Sequence, residues 1–155
     1  MTMETSLYKM AAQLLGLKEI PGEHDNGFIL WCLSLTTVPT PHHDEISWCS
    51  AFVNGLCFLL GLPRSGSAAA RSWLRVGTPV ALDDALIGLD IVVIKRGTEP
   101  QPGPEVLNAQ GHVGIFAGRD GDKIRILGGN QGDRVSLATF PVSSVLGIQR
   151  LRPVS

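Results

Sequence analysis

The pattern of apolar and polar positions divides the chain into a helical first half and a strand-rich second half. In the first half apolar residues recur every three or four positions, a spacing typical of half-buried helices. The predicted helices cover 5–16, 28–35, 68–76 and the stretch after Ser47. The second half shows β-rich runs separated by turns. The predicted strands cover 90–95, 112–117, 123–127, 134–138 and 145–149. Helices followed by strands, without a βαβ rhythm, predict an α+β domain built on an antiparallel sheet.

The helix after Ser47 has the clearest signals. Ser47 is its predicted N-cap, and Gly61 and Pro63 predict its end. Cys49 therefore lies in the first turn, where backbone N–H groups and the positive end of the helix dipole stabilise a thiolate. A cysteine in this position is either a nucleophile or a small core residue, because free cysteines are among the most buried residue types. The apolar stripe of the helix consists of Cys49, Phe52, Val53, Leu56, Leu59 and Leu60.

Composition and charge argue against several classes of protein. The 155 residues are expected to form one domain, 1–155, whose core needs no disulfide or metal. A net charge of −1 without long Lys/Arg runs argues against a surface that binds nucleic acid. No apolar run approaches the length of a membrane span. Three cysteines without a C-x-x-C pair fit neither a disulfide framework nor a zinc ribbon, and Cys32 and Cys57 are predicted core residues. No secretory signal pattern is found, so we expect synthesis in the cytoplasm. We also expect a monomer.

His112 begins a predicted strand and is the second candidate for chemistry. Gly114, two residues later, marks a place where another group comes close. A two-residue hairpin turn over 119–122 pairs this strand with the next one. In that register His112 faces Gly129, and a bulge would place Asn130 opposite it instead.

Asn130 is the predicted third member of the site. Its amide would accept a hydrogen bond from the imidazole of His112 and fix the tautomer. Gln131 and Asp133 are the alternatives, but strand alternation predicts that Gln131 points to the opposite face from Asn130. Cysteine, histidine and asparagine in this chain order are typical of a thiolate activated by an oriented imidazole.

Three segments of the chain carry a resemblance to a known family. They are Asp-Glu-Ile-Ser-Trp-Cys-Ser-Ala-Phe-Val-Asn at 44–54, Gly-His-Val-Gly-Ile-Phe at 111–116 and Leu-Gly-Gly-Asn-Gln at 127–131. These segments resemble the papain-like CHAP and NlpC/P60 peptidoglycan hydrolases, above all the compact type found in phage endolysins and bacterial cell-wall amidases. The resemblance implies a papain-like α+β fold with Cys49 as nucleophile, His112 as general base and acid, and Asn130 as the residue that orients His112.

No metal and no other cofactor is expected. Many CHAP domains carry a glutamate two residues before the asparagine, where this chain has Gly128. Some also bind calcium through an Asp-x-Asp pattern before the cysteine. Here the segment reads His42-His43-Asp44-Glu45, so calcium is not carried over and the cluster is interpreted as a solvated loop.

The predicted function is hydrolysis of an amide bond in peptidoglycan, by an amidase or a peptide-stem endopeptidase. Trp48 and Trp73 are candidates for the walls of the substrate groove and equally for the core. The Pro-rich segment 96–111 is the predicted rim of the site. A phage endolysin, reaching the wall through a holin, is the leading role. The alternatives are an effector delivered by a secretion system and a catalytically silent cell-wall-binding or virion module.

Overall fold

The fold is built on one antiparallel sheet of six strands in a computed structural model that describes residues 6–18, 27–37, 48–97, 100–107 and 109–153. The strands are β1 (Thr78–Val80), β2 (Asp90–Lys95), β3 (Gly111–Asp120), β4 (Lys123–Gly128), β5 (Ser136–Pro141) and β6 (Val145–Arg150). Their order across the sheet is β1-β6-β2-β3-β4-β5. Each neighbouring pair is antiparallel, as predicted.

The helices of the described residues precede most of the strands. They are α1 (Leu7–Ala12), α2 (Gly27–Ser34) and α3 (Cys49–Leu60), followed by 3₁₀ helices over Ala70–Arg75, Leu82–Asp84 and Val142–Ser144. The predicted α+β class is therefore confirmed. None of the helices in this part of the chain is long and apolar enough to cross a bilayer.

α3 is the central helix and follows its sequence signals closely. Gly61 takes the left-handed conformation at φ 70°, and the N–H of Leu62 donates to the carbonyl of Cys57 at 2.9 Å, which closes the helix end. The predicted cap Ser47 lies outside the described residues, and α3 begins at Cys49 after Trp48. The apolar stripe is buried from Cys49 to Leu56, whereas Leu60 is half-buried and Leu59 is exposed. Cys49 thus occupies the first turn, as predicted.

The sheet has an apolar core on each side. The side that faces the helices buries Ile91, Val93, Val113, Ile115 and Leu127. The other side buries Val92, Ile94, Phe116, Ile124, Ile126 and Ile148. This two-residue alternation follows from strand geometry. Because β2 contributes to both cores, it lies in the interior of the sheet and reads as an unbroken apolar run.

The β3–β4 hairpin turns one residue later than predicted. Asp120 pairs with Lys123, so the loop consists of Gly121 and Asp122, and glycine takes the first loop position with φ 65°. A register shift follows between Phe116 and Arg119. The register beyond this bulge, with Ile115 opposite Leu127, is the one that would place His112 opposite Asn130 if it continued. Pairing stops first, because β4 ends at Gly128.

Other predicted elements differ from the structure in length or type. The helix predicted over 68–76 is a 3₁₀ helix over Ala70–Arg75, and the strand predicted over 134–138 covers Ser136–Pro141. β1 was not predicted, since three residues are too few for an alternating pattern. Its Pro79 is tolerated because β1 is an edge strand.

Candidate active site

The structure brings the thiol of Cys49 and the imidazole of His112 together. Cys49 is the first residue of α3, and His112 is the second residue of β3. Both side chains are buried, with 1% and 4% of their surface exposed, and the thiol is hydrogen-bonded to the imidazole. The imidazole also contacts the ring of Phe140, with centroids 5.8 Å apart. A helix N-terminus and a strand end thus place a nucleophile next to a base.

Gln131 holds the other side of the imidazole. Its Oε1 lies 2.8 Å from Nε2 of His112. The Gln131 amide nitrogen donates to the carbonyls of Ser136 at 2.7 Å and Ile126 at 3.2 Å, so the amide oxygen faces the ring. An acceptor at this place requires a proton on Nε2. Nδ1 is then the nitrogen that remains for Cys49, which is the tautomer a general base needs.

Gly128 makes room for this amide. A Cβ at position 128 would lie 2.8 Å from Oε1 of Gln131 and 3.4 Å from Nε2 of His112. The side chain of Gln131 therefore folds back over the strand into space that a side chain at 128 would fill. This explains why glycine suits position 128.

The prediction that Gln131 points away from His112 is wrong. Strand alternation does not apply there, because β4 ends at Gly128 and Asn130 has a left-handed φ of 61°. The backbone turns at Asn130 and brings the next residue onto the ring. The amide oxygen of Gln131 therefore occupies an orienting position on the ring, and the orienting role of Asn130 stays a prediction. Asn130 still lines the same pocket as His112, while Asp133 is exposed.

The pKa of His112 lies above its ordinary value of 6.5. Burial is the largest single influence and by itself lowers the pKa, because it disfavours the charged ring. The hydrogen bond and negative charge of Cys49, together with the hydrogen bond to Gln131, outweigh burial and raise the pKa. Arg96 lowers it slightly through charge repulsion. The net direction favours the protonated form of the imidazole beside Cys49.

Trp48 and Trp73 are core residues, which corrects their predicted place in the groove wall. Their exposed fractions are 1% and 0%. Trp48 packs edge-on against Phe52, and a Cβ at Gly129 would lie 2.7 Å from its ring. Trp73 donates from Nε1 to Oγ of Ser50 at 2.8 Å, and so ties the 3₁₀ helix to α3. Both rings pack in the core next to residues that carry the site.

Arg71 organises the predicted rim, and sequence reasoning missed it. The side chain is fully buried, and its guanidinium donates to four main-chain carbonyls over 2.7 to 3.1 Å. The acceptors are Pro102, Gly103, Val106 and Gln110. A guanidinium in the interior needs this many acceptors. It fixes the segment that leads into His112, and the signal for it was a lone arginine inside an apolar, alanine-rich run.

Among the described residues, no group of three or more His, Cys, Asp or Glu side chains is placed so that it could hold a metal ion. The cluster His42-His43-Asp44-Glu45 lies outside the described residues, so its interpretation as a solvated loop stays a prediction.

Comparison with solved structures identifies the fold, whereas the sequence comparisons found no match. No protein-family model and no curated protein sequence matches the chain. Among solved structures, NlpC1 from Trichomonas vaginalis is similar over 94% of this chain, with a TM-score of 0.54 and 16% identity. The protein has an α+β papain-like fold of the NlpC/P60 type. The chain spans 43% of the length of NlpC1. The likeness concerns the fold alone, so the CHAP type and the endolysin role stay predictions.

Proposed function

We propose that the protein is a cysteine hydrolase that cleaves an amide bond in the peptide part of peptidoglycan. The observation that carries the proposal is the chain of contacts from Cys49 through His112 to Gln131. A thiol at a helix N-terminus, bonded to an imidazole that a third group orients, is the arrangement of a nucleophile with its base.

The reaction follows from these contacts. The Cys49 thiolate attacks the carbonyl carbon, and backbone N–H groups in the first turn of α3 donate to the oxyanion. The proton on Nδ1 of His112 moves to the leaving nitrogen as the C–N bond breaks. Water then attacks the thioester, with His112 taking its proton, and releases the acid. Gln131 keeps the second ring nitrogen engaged throughout both steps.

Peptidoglycan is proposed as substrate on the strength of the motif resemblance, and the papain-like fold agrees with it. Cleavage of the bond to the first stem residue would make the protein an amidase, and cleavage between stem residues would make it an endopeptidase. We place the protein at the cell wall after delivery through a holin, as a phage endolysin, or through a secretion system, as an effector.

Purified sacculi provide the test of this proposal. The wild-type protein should release soluble fragments, and Cys49→Ala should abolish the release. Cys57→Ala is the matched control on the same helix and should retain turnover. Mass spectrometry of the fragments identifies the bond. Equal release by Cys49→Ala and wild type would exclude the assignment, as would intact sacculi after treatment with folded wild-type protein.

A further inference from the structure

A pocket of about 580 Å³ adjoins His112 on the side of the sheet away from the helices. Its volume lies within the usual range for small-molecule sites. The apolar part of its wall includes Ile94, Ala138, Phe140 and Pro141. Both His112 and Gln131 line the pocket, so it adjoins the candidate active site.

The charged residues that line the pocket are both cations. Lys95 and Arg96 lie at the end of β2, and the described lining contains no acidic side chain. The ion pairs among the described residues are Arg119–Asp83 and Arg150–Asp90, so neither pocket cation is neutralised by them. Asn130, Ser136 and Ser144 add polar groups to the lining. An apolar wall next to two cations suits a small apolar group that carries an anion.

The position of the pocket relative to the two reacting groups identifies the part of the substrate that it would hold. His112 lines the pocket, whereas Cys49 is absent from its described lining. In amide cleavage the acyl carbon bonds to the thiolate, and the leaving nitrogen receives its proton from the imidazole. The group attached to the leaving nitrogen therefore lies on the imidazole side, next to the pocket.

We propose that this pocket binds the leaving-group part of the substrate, and that this part is a small apolar amino acid or dipeptide with a free carboxylate. The inference rests on the proposed function and adds the substrate class on one side of the scissile bond. The carboxylate lies against Arg96 and Lys95, and the apolar side chain lies against Phe140 and Ala138.

The reaction balances with one water molecule. The Sγ–C bond forms while the C–N bond breaks, and the proton of His112 passes to the departing amine. The amine leaves through the pocket with its carboxylate, and water then converts the thioester to an acid and restores the thiolate. Arg96 also acts on His112 by charge, so a bound carboxylate would offset that repulsion while the amine departs.

Binding is tested first with the inactive Cys49→Ala protein, so that turnover plays no part. The probes are alanyl-alanine in its L,L and D,D forms, each as the free acid and as the C-terminal amide, titrated by NMR. The free acid of the preferred form should bind about 5- to 30-fold more tightly than its amide, since a charge-assisted hydrogen bond is lost. Arg96→Gln should weaken this preference, because Lys95 then remains of the two cations in the described lining. Lys123→Gln, an exposed cation at the far hairpin turn, should leave it unchanged.

Turnover is tested with stem peptides released from sacculi, as free acids and as C-terminal amides. The acid should have the higher kcat/KM, and Arg96→Gln should raise KM for the acid. Ala138→Trp, which fills the pocket, should slow the cleavage of both forms.

Equal binding of acid and amide, or equal effects of Arg96→Gln and Lys123→Gln, would overturn the proposal. If acid and amide are cleaved equally well, the pocket proposal is contradicted and the proposed function stands. If the acid binds but no peptide is cleaved, the carboxylate site stands and the proposed function is contradicted.

Discussion

The two ends of α3 each carry a cysteine, equally buried but in different chemical surroundings. Cys49 at the first turn is 1% exposed, and Cys57 near the last turn is 0% exposed. Burial raises the pKa of Cys57 to about 12, with a small opposing effect from the charge of Arg64. Cys49 instead faces the imidazole of His112.

This comparison shows that two equally buried cysteines can have different electrostatic surroundings. A buried thiolate is unfavourable only while nothing compensates its charge, and an imidazolium in contact provides that compensation. The helix contributes in the same sense, because its dipole favours an anion at the first turn and disfavours one at the last turn. In the proposed function, α3 therefore supplies the nucleophile at one end and core packing at the other.

Alkylation is expected to show the largest difference between the two ends. With a pKa of about 12, Cys57 is ionised in roughly one molecule in 10⁵ at pH 7. Iodoacetamide near pH 6 should therefore label Cys49 at least about 10²-fold faster than Cys57 or Cys32, whose pKa is also raised to about 12 by burial. Peptide mapping by mass spectrometry measures the rates.

The matched variants identify the cause of that difference. His112→Ala should slow labelling at Cys49, whereas Cys57→Ala should leave it unchanged. Preferential labelling of Cys57 in the folded wild-type protein would contradict the assignment of Cys49.

The orienting amide is expected to give the next largest effect. Gln131→Ala should lower turnover on sacculi by roughly 10- to 10³-fold, less than the loss of Cys49, because a positioned acid–base group contributes about 10²- to 10⁴-fold. Asn130→Gly is the matched control. It removes the neighbouring amide but keeps the left-handed backbone, at φ 61°, that glycine adopts readily.

The contrast between these two variants decides the role of each residue. Asn130→Gly and Asp133→Ala should stay within about threefold of wild type. A loss at Asn130→Gly as large as that at Gln131→Ala would restore Asn130 to the mechanism. Circular dichroism checks that each variant is folded, since Gln131→Ala also removes donors to Ile126 and Ser136.

Most of the fold could be predicted from the sequence, because its signals are local. The β-branched run Asp90–Lys95 and the glycine that ends α3 need only their neighbours to be recognised. The edge strand Thr78–Val80 could not be recognised, since long-range pairing with β6 defines it. The 3₁₀ geometry of Ala70–Arg75 likewise depends on packing: Trp73 reaches α3, and Arg71 reaches the rim.

The candidate site was predictable in part, for a related reason. Cys49 and His112 stand at element ends, which helix caps and strand patterns locate. Gln131 follows Asn130, whose φ is positive, so the alternation of side chains along a strand no longer holds at Gln131. The paired glycines at 128 and 129 were the available signal, because Gly128 makes space for the side chain of Gln131 and Gly129 makes space for the ring of Trp48.

The last prediction concerns the charge on His112 and has the smallest expected effect. Because Cys49 raises the pKa of His112 against burial, Cys49→Ala should lower that pKa, whereas Cys57→Ala should leave it unchanged. Titration of the imidazole carbon-bound protons by NMR measures this. Because the pKa of His112 is raised in the folded state, the free energy of unfolding depends on pH. The protonated ring stabilises the fold fully below its ordinary pKa of 6.5, and this contribution is lost as the pH rises through the folded-state value. Urea unfolding from pH 6 to 9 should therefore show a fall in wild-type stability that Cys49→Ala lacks. A His112 pKa that is the same in Cys49→Ala and wild type would mean that burial and Gln131 set the charge on the ring, and that the two ends of α3 differ less than their contacts indicate.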